Sequence, residues 1–225
     1  MSIQKANIGD LFAQKKYNEI INIIENKVEK KDLTSQLLNI LGACKLFKKI
    51  INKNDLIDAI KIFREAYTKE KLNIHTVGAF NNFVNSNVNL YDIDNSESNR
   101  SFCRDNFYQS INFYEKNKEY FNNNKTILLS ITRIYKRFAD IDKIILNLQK
   151  LMNLDKNNSL ILCSYIYHNS FKNEWKQNKF LENSKLLNEN LKKLSDISLV
   201  SLKEEKGDKI KIGILSSDIK GNHVV

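Results

Sequence analysis

Thr126 to Leu154, TILLSITRIYKRFADIDKIILNLQKLMNL, carries two successive apolar stripes at steps of three and four residues. Leu128, Ile131, Thr132 and Tyr135 make the first; Ile141, Ile144, Ile145, Leu148 and Leu151 make the second. A period near 3.6 marks one face of an amphipathic helix, so the stretch predicts a pair of helices packed through those faces. The same signal runs outward in both directions. Leu56, Ala59, Ile60, Phe63 and Ala66 form another stripe, and helical spacing continues to about residue 194. With no proline in 225 residues, nothing in the chain forces a helix to stop. Breaks are expected at Asn52 to Asp55, Leu154 to Ser159 and, at greatest length, Asn85 to Arg100, with Asp55 and Ser159 as N-caps of the helices that follow.

Successive helix pairs fit the tetratricopeptide template, in which Leu-Gly and Tyr mark the first helix and Ala, three residues and an aromatic mark the second. Leu38, Leu41 and Gly42 followed by Leu56, Ala59, Phe63 and Ala66 give one unit, with about five extra residues between its halves. Leu128 to Leu151 gives another, with enlarged small residues and Lys156 at the template's proline. Leu11, Tyr17, Ile20, Ile21 and Ile24 give the first unit. A further unit opens at Phe80, Phe83 and Val84 and dissolves in the Asn/Ser-rich break before Phe107 to Tyr120 resumes a helix. Such pairs cannot bury their apolar faces alone; they stack into an array with a concave groove that ordinarily takes an extended peptide.

Composition narrows the function classes. Hydrophobic residues are 42% and aromatics 10%, enough for a core. No run approaches the roughly 18 apolar residues of a membrane span, and the N-terminus lacks a secretory pattern, so a cytoplasmic protein without membrane contact is expected. The formal charge of +10 comes from 36 basic and 26 acidic residues that are interspersed, with lysine far outnumbering arginine. That pattern weighs against nucleic acid as a partner. Cys44, Cys103 and Cys163 lack ligand spacing, so neither a zinc site nor a disulfide framework is expected, and Cys44 and Cys163 read as small core residues. His75 and His168 match no metal-ligand spacing and read as surface or inter-helix residues; Trp175 reads as packing between the last helices.

The last sixteen residues, Ile210 to Val225, break the helical pattern. Ile210 to Leu215 has the length and β-branching of a short strand, and Ser216, Ser217 and Asp218 follow with the oxygens that a helix N-cap or anion-facing loop uses. Gly207, Gly213 and Gly221 lie in the same tail. A lone strand leaves its backbone unpaired, so the tail is either the opening of a longer α/β unit or a frayed end.

Helix-pair repeats running into Ile210, Lys211, Ile212, Gly213, Ile214, Leu215, Ser216, Ser217 and Asp218, with His223 soon after, resemble the SPINDLY and O-linked N-acetylglucosamine transferase family. Ile214 stands where that family has an aromatic, and Lys220 and Gly221 lengthen the turn before His223. The resemblance implies an all-α array of tetratricopeptide-like antiparallel helix pairs in a right-handed superhelix. One C-terminal β-strand would then open a truncated Rossmann-like glycosyltransferase lobe. It implies degenerate repeats over 1–158, a divergent last repeat with connecting helices over 159–205, and the start of a catalytic region over 206–225. It further implies transfer of a sugar from a UDP-sugar to Ser/Thr of proteins, with His223 near the acceptor and Ser216, Ser217, Asp218 and Asn222 in the active-site motif. Asn82 matches the asparagine that lines the family's acceptor groove, whereas Ile40, Ser130 and Ser164 stand at the equivalent places of other units. Lacking the donor lobe, the 225-residue chain is expected to hold no cofactor and to transfer nothing by itself. The alternative expectation is a self-sufficient helical-repeat adaptor that binds a protein or peptide in its groove.

Overall fold

Short polar side chains begin most of the helices. In the computed structural model, which describes residues 5–48, 53–94, 96–172 and 177–194, α1 (Lys5–Ala13) and α2 (Tyr17–Lys27) form the first pair. α3 (Ser35–Phe47) starts at Thr34, whose hydroxyl accepts from the Leu37 amide, and pairs with α4 (Lys53–Lys69). α5 (Ile74–Ile93) starts at a capping box, Asn73 bonding to the amides of His75 and Thr76 while Thr76 answers to the Asn73 amide. After α6 (Glu97–Lys116) and the single turn α7 (Lys118–Phe121), Asn124 caps α8 (Lys125–Arg137) and Asp140 caps α9 (Ile141–Leu154). Asn158 caps α10 (Ser159–Asn169), and α11 (Gln177–Leu194) completes the described residues, among which there is no strand. Each cap satisfies an orphan amide and contributes about 1 kcal/mol.

Two expectations about caps are corrected. Asn158, one residue before Ser159, holds the cap of α10, because its side chain reaches the Ile161 amide. Asp55 sits inside the first turn of α4 and meets Lys48 at 2.5 Å instead.

The expected break over Asn85 to Arg100 is also overturned. α5 continues to Ile93 and α6 starts at Glu97, so the interruption is a few residues and not sixteen. Asparagine inside a helix costs at most about 0.7 kcal/mol against alanine. Here each buried amide recovers more than that through about 0.5–1.5 kcal/mol per hydrogen bond. Asn87 donates to the Phe83 carbonyl at 2.7 Å and accepts from Asn106 of α6 at 2.7 Å. Ser86, Asn87 and Asn99, polar letters that read as a loop, are buried, and Asn87 is a hydrogen-bond partner between helices.

One apolar cluster runs from α3 to α10 and a smaller one joins α1, α2 and α3 through Ile8, Leu11, Ile20, Ile24, Leu41 and Cys44. At Gly42 an added Cβ would stand 2.6 Å from the Phe63 ring, so the Leu-Gly position lets α3 close on α4 as the repeat template requires. Each helix packs on its pair partner, and α3, α5 and α8 also pack on one another in series. α4 packs on both α3 and α5, and α9 on both α8 and α10, whereas the second helices make no comparable contact with one another among the described residues. Crowding of first helices over second ones curves the array with α3, α5 and α8 on its inner side. Among the described residues no helix is long and apolar enough to cross a membrane.

Cys44 is fully buried, and burial pushes its thiol up to about 11; Cys103 is buried too, its thiol raised to about 12. Cys163 corrects its expectation: it is exposed on α10. Trp175 and the expected strand Ile210–Leu215 lie outside the described residues.

Candidate functional site

The inner face is held by polar bonds between α5 and α8. Ser130 donates to Asn81 at 2.5 Å, and Asn85 donates to Asn81 at 3.1 Å. Arg133 donates to Asn85 at 2.7 Å and to Asn89 at 3.3 Å, and Arg137 grips the Asp92 carboxylate with two nitrogens, one at 2.8 Å. Steps of four along α5 meet steps of three and four along α8, so the two rows close like teeth. On the other side of α5, Asn82 donates to Asn39 of α3 at 2.9 Å. Asn82 therefore stands on the inner layer, half-buried, with its amide engaged by the neighbouring helix.

The layer opens on the far side of α8. α10 packs on α9 and α11 and makes little contact with α8, which leaves a groove floored by Ile144 and Leu148 of α9. The groove has two adjoining depressions of about 460 and 520 Å³, and Lys136 and Ser164 line both. Lys136 Nζ donates to Ser164 Oγ at 3.1 Å and so bridges the groove where the depressions meet. Desolvation along the wall, then Arg137 and Arg133, hold the Lys136 pKa below its ordinary value. Arg137 has Asp92; neither Arg133 nor Lys136 meets a carboxylate among the described residues.

Apolar side chains flank the bridge without being covered. Leu160 is 83% exposed and Leu129 39% on one side, with Tyr167 60% and Phe171 58% on the other. His168 is buried beneath Tyr167, and its Nδ1 lies 2.6 Å from the Ser164 carbonyl. Burial lowers its pKa, the carbonyl bond opposes this, and Lys136 adds to the lowering. His75, by contrast, is exposed.

Asn82, the residue expected from the sequence to line a groove, stands on an inner-layer helix and bonds to α3, while Ser130 and Ser164, at the equivalent places that lack the asparagine, both line the depression beside α8. Ser216, Ser217, Asp218, Asn222 and His223 lie outside the described residues. No cluster that could hold a metal ion occurs among the described residues. Sequence reasoning expected a concave groove but not its place between α8 and α10, although α10 gave a signal. SLILCSYIYHN is apolar nearly all round, which ordinarily means a helix buried on every side. Here Ile161 and Leu162 are buried while Leu160 and Tyr167 are bare.

No family model matches the chain, and no curated protein matches it. Solved structures do. "MamA MSR-1 C2" is 10% identical, covers 85% of this chain and 96% of its own length, and superposes with a TM-score of 0.59. A mutant of MamA is 11% identical over 83% of this chain and 94% of its own, with a TM-score of 0.57. MamA is a tetratricopeptide-like helical-repeat protein, so the chain has a fold of that type.

Proposed function

We propose that this chain is a helical-repeat interaction module that holds a peptide segment of another protein against its inner layer. The observation that carries the reading is the α8–α10 groove, where Leu160, Tyr167 and Phe171 stand bare beside two cations. Exposed apolar side chains gathered in one concavity mark interaction sites more often than scattered ones do. Helical arrays of this kind expose extended inner surfaces for that use. The tetratricopeptide-like fold shared with MamA fits the same reading. A random-sequence peptide array probed with the whole chain tests it: binding near micromolar affinity, kept when residues 205–225 are deleted, is the expected outcome. Absence of binding to every spot would remove the reading.

A second reading rests on Ile210 to Asp218 and His223 alone. In it the repeats select acceptor proteins for a SPINDLY-like O-glycosyltransferase, whose UDP-sugar would bind to a lobe beyond this chain. Detection in native cells of a protein well above 26.3 kDa with an antibody to the helical region would favour it, and a species at 26.3 kDa would count against it.

A further inference from the structure

The geometry of the groove narrows its occupant. Lys136 and Arg133 lie one turn apart on α8, both line the groove, and among the described residues neither meets a carboxylate. Arg133 spends its bonds on the neutral amides of Asn85 and Asn89, and Lys136 on a serine hydroxyl. Positive charge on one wall with no internal counter-charge calls for an anion from outside. The apolar side chains are arranged symmetrically about that charge. Leu160 stands one turn before Ser164 on α10, and Tyr167 about one turn after it. A helical turn rises about 5.4 Å, and two residues of extended chain span about 6.6 Å. In an extended peptide, alternate side chains face the same way. Three successive same-face side chains of a strand therefore match Leu160, the Lys136–Ser164 bridge and Tyr167 in turn.

We propose that the α8–α10 groove binds an extended segment of a partner protein with an aspartate or glutamate at its centre and an apolar residue two positions to each side, the carboxylate meeting Lys136 and Arg133. This rests on the interaction-module reading and specifies its ligand. The carboxylate is a side chain within the segment and not a chain terminus, because the groove continues past the bridge into a second depression lined by Cys163, Tyr167 and Phe171.

Fluorescence polarisation on the full chain tests the pattern with decapeptides, acetylated and amidated, whose Gly/Ser flanks surround leucine, glutamate and phenylalanine at alternate positions. The glutamate peptide should bind at least about tenfold tighter than its glutamine counterpart, and serine in place of the two apolar residues should cost a similar factor. Lys136→Glu, at an exposed position where folding is checked by circular dichroism, should lose the glutamate peptide by about tenfold and gain preference for a lysine-centred one. Equal binding of the glutamate and glutamine peptides, or an unchanged affinity in Lys136→Glu, overturns the proposal. So does a glutamine-centred peptide with a free C-terminal carboxylate that binds as tightly as the amidated glutamate one. Peptides of other composition that still bind the chain, and are not displaced by the glutamate peptide, would leave the interaction module standing while this ligand fell; no binding by any peptide would end both.

Discussion

Two seams of the inner layer, built from similar helices, end in opposite ways. Between α5 and α8 the gap is filled by Asn81, Asn85, Asn89 and Asp92 from one side and Ser130, Arg133 and Arg137 from the other. Between α8 and α10, among the described residues, a single hydrogen bond from Lys136 to Ser164 crosses an open groove. Ser130 and Ser164 hold equivalent places in successive units, yet Ser130 is 3% exposed and Ser164 is half-buried. Repeat position alone therefore does not set a residue's surroundings. The side chains supplied by the neighbouring helix do, and α10 supplies leucine and aromatics where α5 supplies amides.

The strongest way to break that comparison is the same substitution at both serines. Ser130→Leu forces a branched side chain in beside α5 and removes one of the two donors to the Asn81 oxygen, so urea denaturation should show a loss of about 1–3 kcal/mol. Ser164→Leu should change stability by no more than about 0.5 kcal/mol. Equal losses at the two positions would mean the seams do not differ. Next in size, Arg133→Ala removes the donor to the half-buried Asn85 oxygen, the exposed Asn89 oxygen turning to water, and should cost about 1 kcal/mol in the same assay, whereas Lys136→Ala should stay within about 0.5 kcal/mol.

A smaller gain is expected at the turn that leads from α8 to α9 below the groove. Ala139 lies at φ 52°, in the left-handed region, so Ala139→Gly should stabilise the chain by about 0.5–1 kcal/mol, read as a rise in melting temperature. Smallest is a pH effect at the open seam. The folded pKa of His168 lies below its unfolded value, so the folded chain binds the proton less readily than the unfolded one. The contribution is intact above the unfolded value of about 6.5 and is lost as pH falls through the folded one. His168→Leu should therefore lose less melting temperature than the native chain between neutral pH and about pH 5. An identical acid loss in both would show that His168 carries none of it.

Much of the array was legible in the letters. The stripes at Leu56 to Ala66 and Ile141 to Leu151 became α4 and α9, because an amphipathic period leaves the chain one face to bury. Leu41 and Gly42 marked the close approach to Phe63. The asparagines misled: in the sequence NSNVNLYDIDNSESNR they have the composition of a loop, and only the partners Asn106 and Arg133, 19 and 48 positions away, make a helix of them. Cys163 misled for the opposite reason, since it stands exposed on an apolar helix, on a face that no other element covers among the described residues.

The sequence by itself determined that the chain folds as stacked helix pairs, since period, caps and the absence of proline are local properties that each segment carries alone. Tertiary structure alone decided which polar residues close a seam and which side chains are left bare beside Lys136. Those outcomes depend on which helix lies opposite, and helices far apart in the chain settle that only when the array is packed.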